Sequence, residues 1–133
     1  MDSRTEFDVA RHLLDEAHLH PAIRSLVESH HLDTVQAVQA AIAENRVVIV
    51  GMAGNPVVAK ARSALQAHTI AYKYLEYGSY FSQWRRRTAL KMWTGWPTFP
   101  MVFVDGILVG GYKDMQALID SGELAAMLGT AAV

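Results

Sequence analysis

Residues 93–106 read W-T-G-W-P-T-F-P-M-V-F-V-D-G. Two prolines and two tryptophans stand directly before a four-residue strand pattern at 101–104. Proline lacks the N–H that a strand ladder needs, and it confines the residue before it to extended backbone. The pair therefore dictates how the chain enters the strand, and the stretch reads as the edge of a binding site. Asp105-Gly106 is a two-residue hairpin signal, and Ile107-Leu108-Val109 supplies the paired strand. Gly110-Gly111 follows, then a helix near 114–120, a Ser121-Gly122 break and a short helix at 123–128. Residues 129–133 read as a frayed tail.

Upstream, Arg46 leads into Val47-Val48-Ile49-Val50. An unbroken β-branched run predicts a strand buried on both faces, and so a sheet covered by helices. A loop at 51–54 precedes Asn55-Pro56, where Asn is an N-cap and Pro fits the first helical position. That helix runs over 57–66 and His68 closes it. A second strand is predicted at 70–75, and Gly78-Ser79 starts a helix over 80–92. From residue 34 the order is α-β-α-β-α-β-β-α-α. A β-α-β unit followed by a hairpin and a terminal helix gives a mixed four-stranded sheet with helices on both faces, the thioredoxin-fold pattern.

Residues 1–32 are additional to that core and read as a helical extension; the domain proper spans 33–129. Phe7, Val9, Leu13, Leu14 and Ala17 mark a helical face over 7–19. Pro21 opens a second helix over 22–29 with Ile23, Leu26 and Val27 apolar, and His30-His31 end it. Asp33 or Thr34 caps a third helix at 35–44. The apolar stripe of 7–29 must be buried, within the chain or across a homodimer.

The chain has 133 residues, 51% hydrophobic and 19% charged, which is a globular composition with material for a core. A net charge of −1 sets up no field that would recruit nucleic acid or an anionic membrane. The longest apolar run, 47–53, is far below a membrane span, and residues 1–6 are polar with no signal-peptide core behind them, so the expected location is cytoplasmic. There is no cysteine. That excludes disulfides, thiolate catalysis and cysteine-held metal.

The block at 87–124 resembles the glutaredoxins, above all the monothiol class with a C-G-F-S active site. Arg87-Thr-Ala-Leu90-Lys91 and Trp96-Pro97-Thr98-Phe99-Pro100 have the family's R-x-x-L-K and W-P-T-[YF]-P spacing. Residues 102–111 match its hairpin and double glycine, and Asp120-Ser-Gly-Glu-Leu124 its end. The likeness covers roughly 34–128. It implies a glutathione groove: a cis peptide at Phe99-Pro100, backbone pairing of Phe99 with a cysteinyl group, Arg87 and Lys91 facing a carboxylate, and close approach at Gly110-Gly111. It also implies partners such as small BolA-type proteins, and cluster binding through active-site cysteines.

The active-site loop departs from the family. Aligned without gaps to C-P-Y-C, Asn55 replaces the nucleophile and Val58 the resolving thiol. Aligned to K-G-T-P, Asn55-Pro56 matches T-P, Ala53 replaces the lysine, and the C-G-F-S block is missing. Neither alignment leaves a thiol, and thiol–disulfide exchange needs a thiolate. The family's Cys-Asp after the double glycine is here Tyr112-Lys113, with Asp114 one place late. Asn55, Arg87, Lys91, Trp96, Thr98, Phe99, Pro100, Gly110, Gly111, Tyr112 and Asp114 thus define a ligand groove without a catalytic residue.

Other features read as structural. Arg85-Arg86-Arg87 splay around a helical turn, and so form no focused phosphate site. His18, His20, His30 and His31 lack metal-ligand spacing. Tyr72, Tyr74, Tyr77, Tyr80 and Phe81 read as core aromatics around the second strand. The expectation is a redox-inactive glutaredoxin-like binding or adaptor module for a protein or peptide, with a link to iron–sulfur or thiol homeostasis and no cofactor or metal. Two alternatives stay open: a sensor that binds glutathione noncovalently, and an enzyme of the glutathione transferase type.

Overall fold

The strand at Val47–Gly51, β1, is buried at all five positions. Its side chains alternate between two cores. Val48 and Val50 join Val35, Val38, Leu90, Phe99, Met101 and Phe103 on one side of the sheet. Val47 and Ile49 join Ala61, Leu65, Val102, Val104, Met115 and Leu124 on the other. A β-branched run is what a strand covered on both faces requires.

The structure is a computed structural model that describes residues 11–129. The chain divides between His30 and His31 into two compact units. The second holds a four-stranded sheet of order β2-β1-β3-β4, with β2 at Lys73–Glu76, β3 at Met101–Val104 and β4 at Ile107–Gly110. β1 runs parallel to β2 and antiparallel to β3, and β3 is antiparallel to β4. With the helices Pro56–Ala67 (α3), Tyr112–Asp120 (α5) and Glu123–Leu128 (α6) packing on one core, and Leu32–Glu44 (α2) and Trp84–Thr94 (α4) on the other, this is the thioredoxin fold.

Several boundaries differ from expectation. In the first unit, Pro21–Ser29 (α1) forms as expected, with Pro21 in its first turn. Among the described residues no α-helix precedes it: over 11–19 the chain makes a 3-10 turn at Glu16–His18, capped by Asp15. Residues 7–10 and the expected frayed positions 130–133 lie outside the described residues. α2 starts three residues early, because neither Asp33 nor Thr34 acts as its cap. Both instead receive Arg86 Nη1 from α4.

β2 begins at Lys73, not Ile70, since the chain leaving α3 comes alongside β1 only where Lys73 meets Val48. α4 begins at Trp84, not Tyr80. Ser79 Oγ accepts from Phe81 N and Ser82 Oγ from Ser79 N, and such local bonds compete with helix. α5 begins two residues early, as Asp114 caps it from inside by accepting from Gly111 N at 2.9 Å.

The hairpin is as expected. Asp105 and Gly106 both have positive φ, 50° and 79°, as a type I′ turn demands. Arg46 fastens this corner: it pairs with both oxygens of Asp105 and donates to the carbonyls of Met127 and Leu128. Among the described residues no helix is long and apolar enough to cross a membrane.

Candidate functional site

The site lies where β1 ends and α3 begins. Pro56 occupies the first turn of α3 and Asn55 is its N-cap. Asn55 Oδ1 accepts from Val57 N at 2.9 Å and from Val58 N at 3.2 Å. Helix N-termini offer unpaired N–H groups and a positive dipole end to an anion. Here the chain's own carboxamide takes those donors. One turn on, buried Val58 packs in the same core as Phe99, Met101 and Trp96, which joins the start of α3 to the proline segment.

That segment forms a wall. The Phe99–Pro100 peptide is cis, as the resemblance implies. Phe99 is buried while Pro97 and Thr98 face solvent. Trp96 N donates to Thr94 Oγ1 and its ring packs on the core edge. Its indole Nε1–H is buried and has no partner. A buried indole N–H normally finds one. This donor lies beside Gly111, where an added Cβ would stand 3.7 Å from Nε1 and 3.5 Å from the Pro100 carbonyl.

Gly110 closes the wall with φ 115°, and any side chain there would overlap Asp114. The cap formed by Asp114 explains its displaced position in the sequence: its role is to start α5. Tyr112 is the first residue of that helix and packs on the second core. Lys91 is exposed, its Nζ 5.7 Å from the centre of the Phe99 ring.

Arg87 is elsewhere. It is buried, and Nη1 donates to the carbonyls of Tyr77 and Ser82. It holds the loop before α4 rather than presenting a cation to a ligand. The structure thus brings together Trp96, Phe99, Pro100, Gly110, Gly111 and Asp114, with Lys91 at the edge and Asn55 across the shared core. It turns Arg87 inward and gives Thr98 an exposed position.

A polar cluster on β2 escaped the sequence reading. Arg62 of α3 stacks 3.9 Å over the Tyr74 ring and donates to Tyr72 Oη, while Tyr74 Oη donates to Glu76. Burial, then the Glu76 bond, pushes the Tyr74 hydroxyl up to about 12. The two-residue spacing of Tyr74 and Glu76 puts them on one face of β2, with Tyr72 just before the strand, and that spacing was the available signal. A concavity of about 950 Å³ lies at the opposite end of β1, beside Val47, His68, Tyr72 and Leu124. Its arginine, Arg46, is already bound to Asp105 and to the α6 carbonyls of Met127 and Leu128. Among the described residues no group of acids and histidines could hold a metal.

The glutaredoxin family model matches residues 47–109. A glutaredoxin-like protein of Dictyostelium discoideum is 47% identical over 102 residues, 77% of this chain and 83% of that one. The chain belongs to the glutaredoxin family. Glutaredoxin 4 of Escherichia coli is 31% identical over 98 residues, covering 71% of this chain and 84% of its own. In fold, the glutaredoxin–glutathione complex of buckwheat superposes with a TM-score of 0.68 at 22% identity, over 77% of this chain and 93% of that one. The chain has no cysteine, so thiol–disulfide exchange has no nucleophile here.

Proposed function

We propose that this chain is a redox-inactive glutaredoxin relative that serves as a binding or adaptor module, using the groove between Asn55, Trp96–Pro100 and Gly110–Tyr112. One observation carries the reading: Asn55 Oδ1 fills the N-terminus of α3, where the ungapped alignment puts the nucleophile. A neutral carboxamide is a good cap and no nucleophile. The surrounding wall is retained although the reaction is not. A protein or peptide ligand, of which a BolA-type protein is one, acts in the cytoplasm in this reading, with a link to iron–sulfur or thiol homeostasis. Two measurements test it. Enzyme-dependent turnover of a glutathione mixed disulfide would overturn the redox-inactive part. Retention of every specific partner after substitution of Trp96 and Phe99 would overturn the groove.

The unpartnered Trp96 N–H beside Gly111 favours a second reading, noncovalent binding of glutathione itself, since a ligand carbonyl that reached this buried donor would satisfy it. Calorimetry with reduced glutathione decides: no heat at millimolar ligand excludes it. A transferase-type enzyme has less support. Asn55 is engaged as a cap, and Tyr74, beside Gly51, is pushed up to about 12 and holds its proton at neutral pH.

A further inference from the structure

Residues 77–99 contain Arg85, Arg86, Arg87 and Lys91 and no aspartate or glutamate, in a chain of net charge −1. Arg86 is paired with Asp33, and Arg87 is turned into the protein. Arg85 and Lys91 are exposed. Arg85 lies 5.1 Å over the Trp84 ring.

The same stretch exposes aromatic rings: Tyr80 at 60%, Phe81 at 97% and Trp84 at 58%. An ordered turn keeps them in water. Gly78 has φ 69° and is packed so closely on Ser82 and Gln83 that no side chain fits. Gln83 is itself left-handed, at φ 54°. Ser79 and Ser82 cross-link the turn, and buried Arg87 grips it through Tyr77 and Ser82. Exposed aromatics concentrated on a rigid scaffold mark interaction surfaces. On α4 the exposed residues Trp84, Lys91 and Met92 follow at helical spacing. A strip therefore runs from Phe81 along the outer face of α4 to Lys91, whose ammonium lies near Phe99.

We propose that this strip docks an acidic, amphipathic peptide segment of a partner protein. Apolar side chains of the peptide rest on Phe81, Trp84 and Met92, and its carboxylates meet Arg85 and Lys91. A second copy of this chain fits poorly, because a two-fold contact sets the patch against itself and opposes the cations. A nucleic acid needs a longer row of free cations along its phosphates. The inference rests on the proposed binding role and deepens it by naming the partner's chemistry. The strip meets the groove only at Lys91, beside Phe99, so variants of Phe81, Trp84 and Arg85 separate the two.

The experiment selects a random peptide display library on the full chain and measures affinities of enriched peptides by fluorescence anisotropy. The expected consensus combines aspartate or glutamate with leucine or phenylalanine. Affinity falls with added salt, and drops by about tenfold or more in Phe81→Ala, Trp84→Ala and Arg85→Glu. Phe81 is almost wholly exposed, so Phe81→Ala melts with the parent chain and reports on binding alone. Gly111→Leu, which fills the space beside Trp96 and Pro100, leaves this affinity unchanged. Four results overturn the proposal: no enrichment, a basic or uncharged consensus, binding unaltered by Phe81→Ala and Trp84→Ala, or loss caused by Gly111→Leu instead. Saturable binding of polyuridine or phosphatidylserine vesicles that acidic peptides fail to displace also overturns it.

Discussion

Asn55 does two things at once: it ends the loop after β1 and satisfies two N–H groups of α3. Asn55→Ala removes the cap and should cost about 1 kcal/mol, read as a fall of several degrees in the melting temperature. Asn55→Cys puts a thiol at the same helix terminus. Its pKa should lie below the ordinary value of about 8.5, measurable as thiolate absorbance against pH; a value above that would mean that the helix end does not face the side chain. Tyr74 gives a pH signature. Burial and Glu76 raise its folded pKa to about 12, against about 10 in an unfolded chain. A raised pKa contributes stability that is whole below the unfolded value and is lost as pH climbs through the folded one. Stability should therefore fall above about pH 10, and Tyr74→Phe should flatten that fall in denaturant titrations. The roles of Asn55 and Pro56 were legible in the sequence because capping is local. Arg87 was not: its spacing matched a ligand-facing position, yet its partners, Tyr77 and Ser82, are carbonyls of an intervening loop.

At the level of elements, the loop between β2 and α4 depends on that arginine. Arg87→Met keeps most of the side-chain volume but leaves two carbonyls without their charged donor. A loss of about 2–3 kcal/mol is expected, along with faster proteolysis at 78–83, while an unchanged cleavage rate would show that the serine bonds suffice. Helix and strand types followed from periodicity and composition, and β1, β3, β4 and α6 lie within a residue of their expected bounds. The misplaced starts of α2 and α4 have different causes. Arg86 recruits Asp33 and Thr34 across the fold, and the serines of 79–82 bind their own backbone. Propensity describes neither competition. β2 was predicted too long because strand length is set by overlap with β1, a property of the pair.

For the whole molecule, β1 is the common wall of two cores, and its alternation ties them into one cooperative unit. Ile49→Ala and Leu65→Ala, both at fully buried positions in the second core, should each cost about 2–5 kcal/mol. A single unfolding transition by circular dichroism and tryptophan fluorescence is expected for both, even though the tryptophans report on the other face. Separate transitions would mean that the layers melt independently. By itself the sequence determined the fold class, the loss of thiol chemistry and the composition of the groove wall. Each follows from local facts: a β-branched run, an absent atom type, and a proline-aromatic segment leading into a hairpin. Only the tertiary structure decided which side chains are left available and which are taken up inside the fold. It turned Arg87 inward, gave Asp114 to a helix cap, left Trp96 with an unpaired donor and held Phe81 in water. The reason is that a side chain's availability depends on which partner reaches it first. Those partners come from elements that lie apart in the sequence and meet only when the sheet and helices pack.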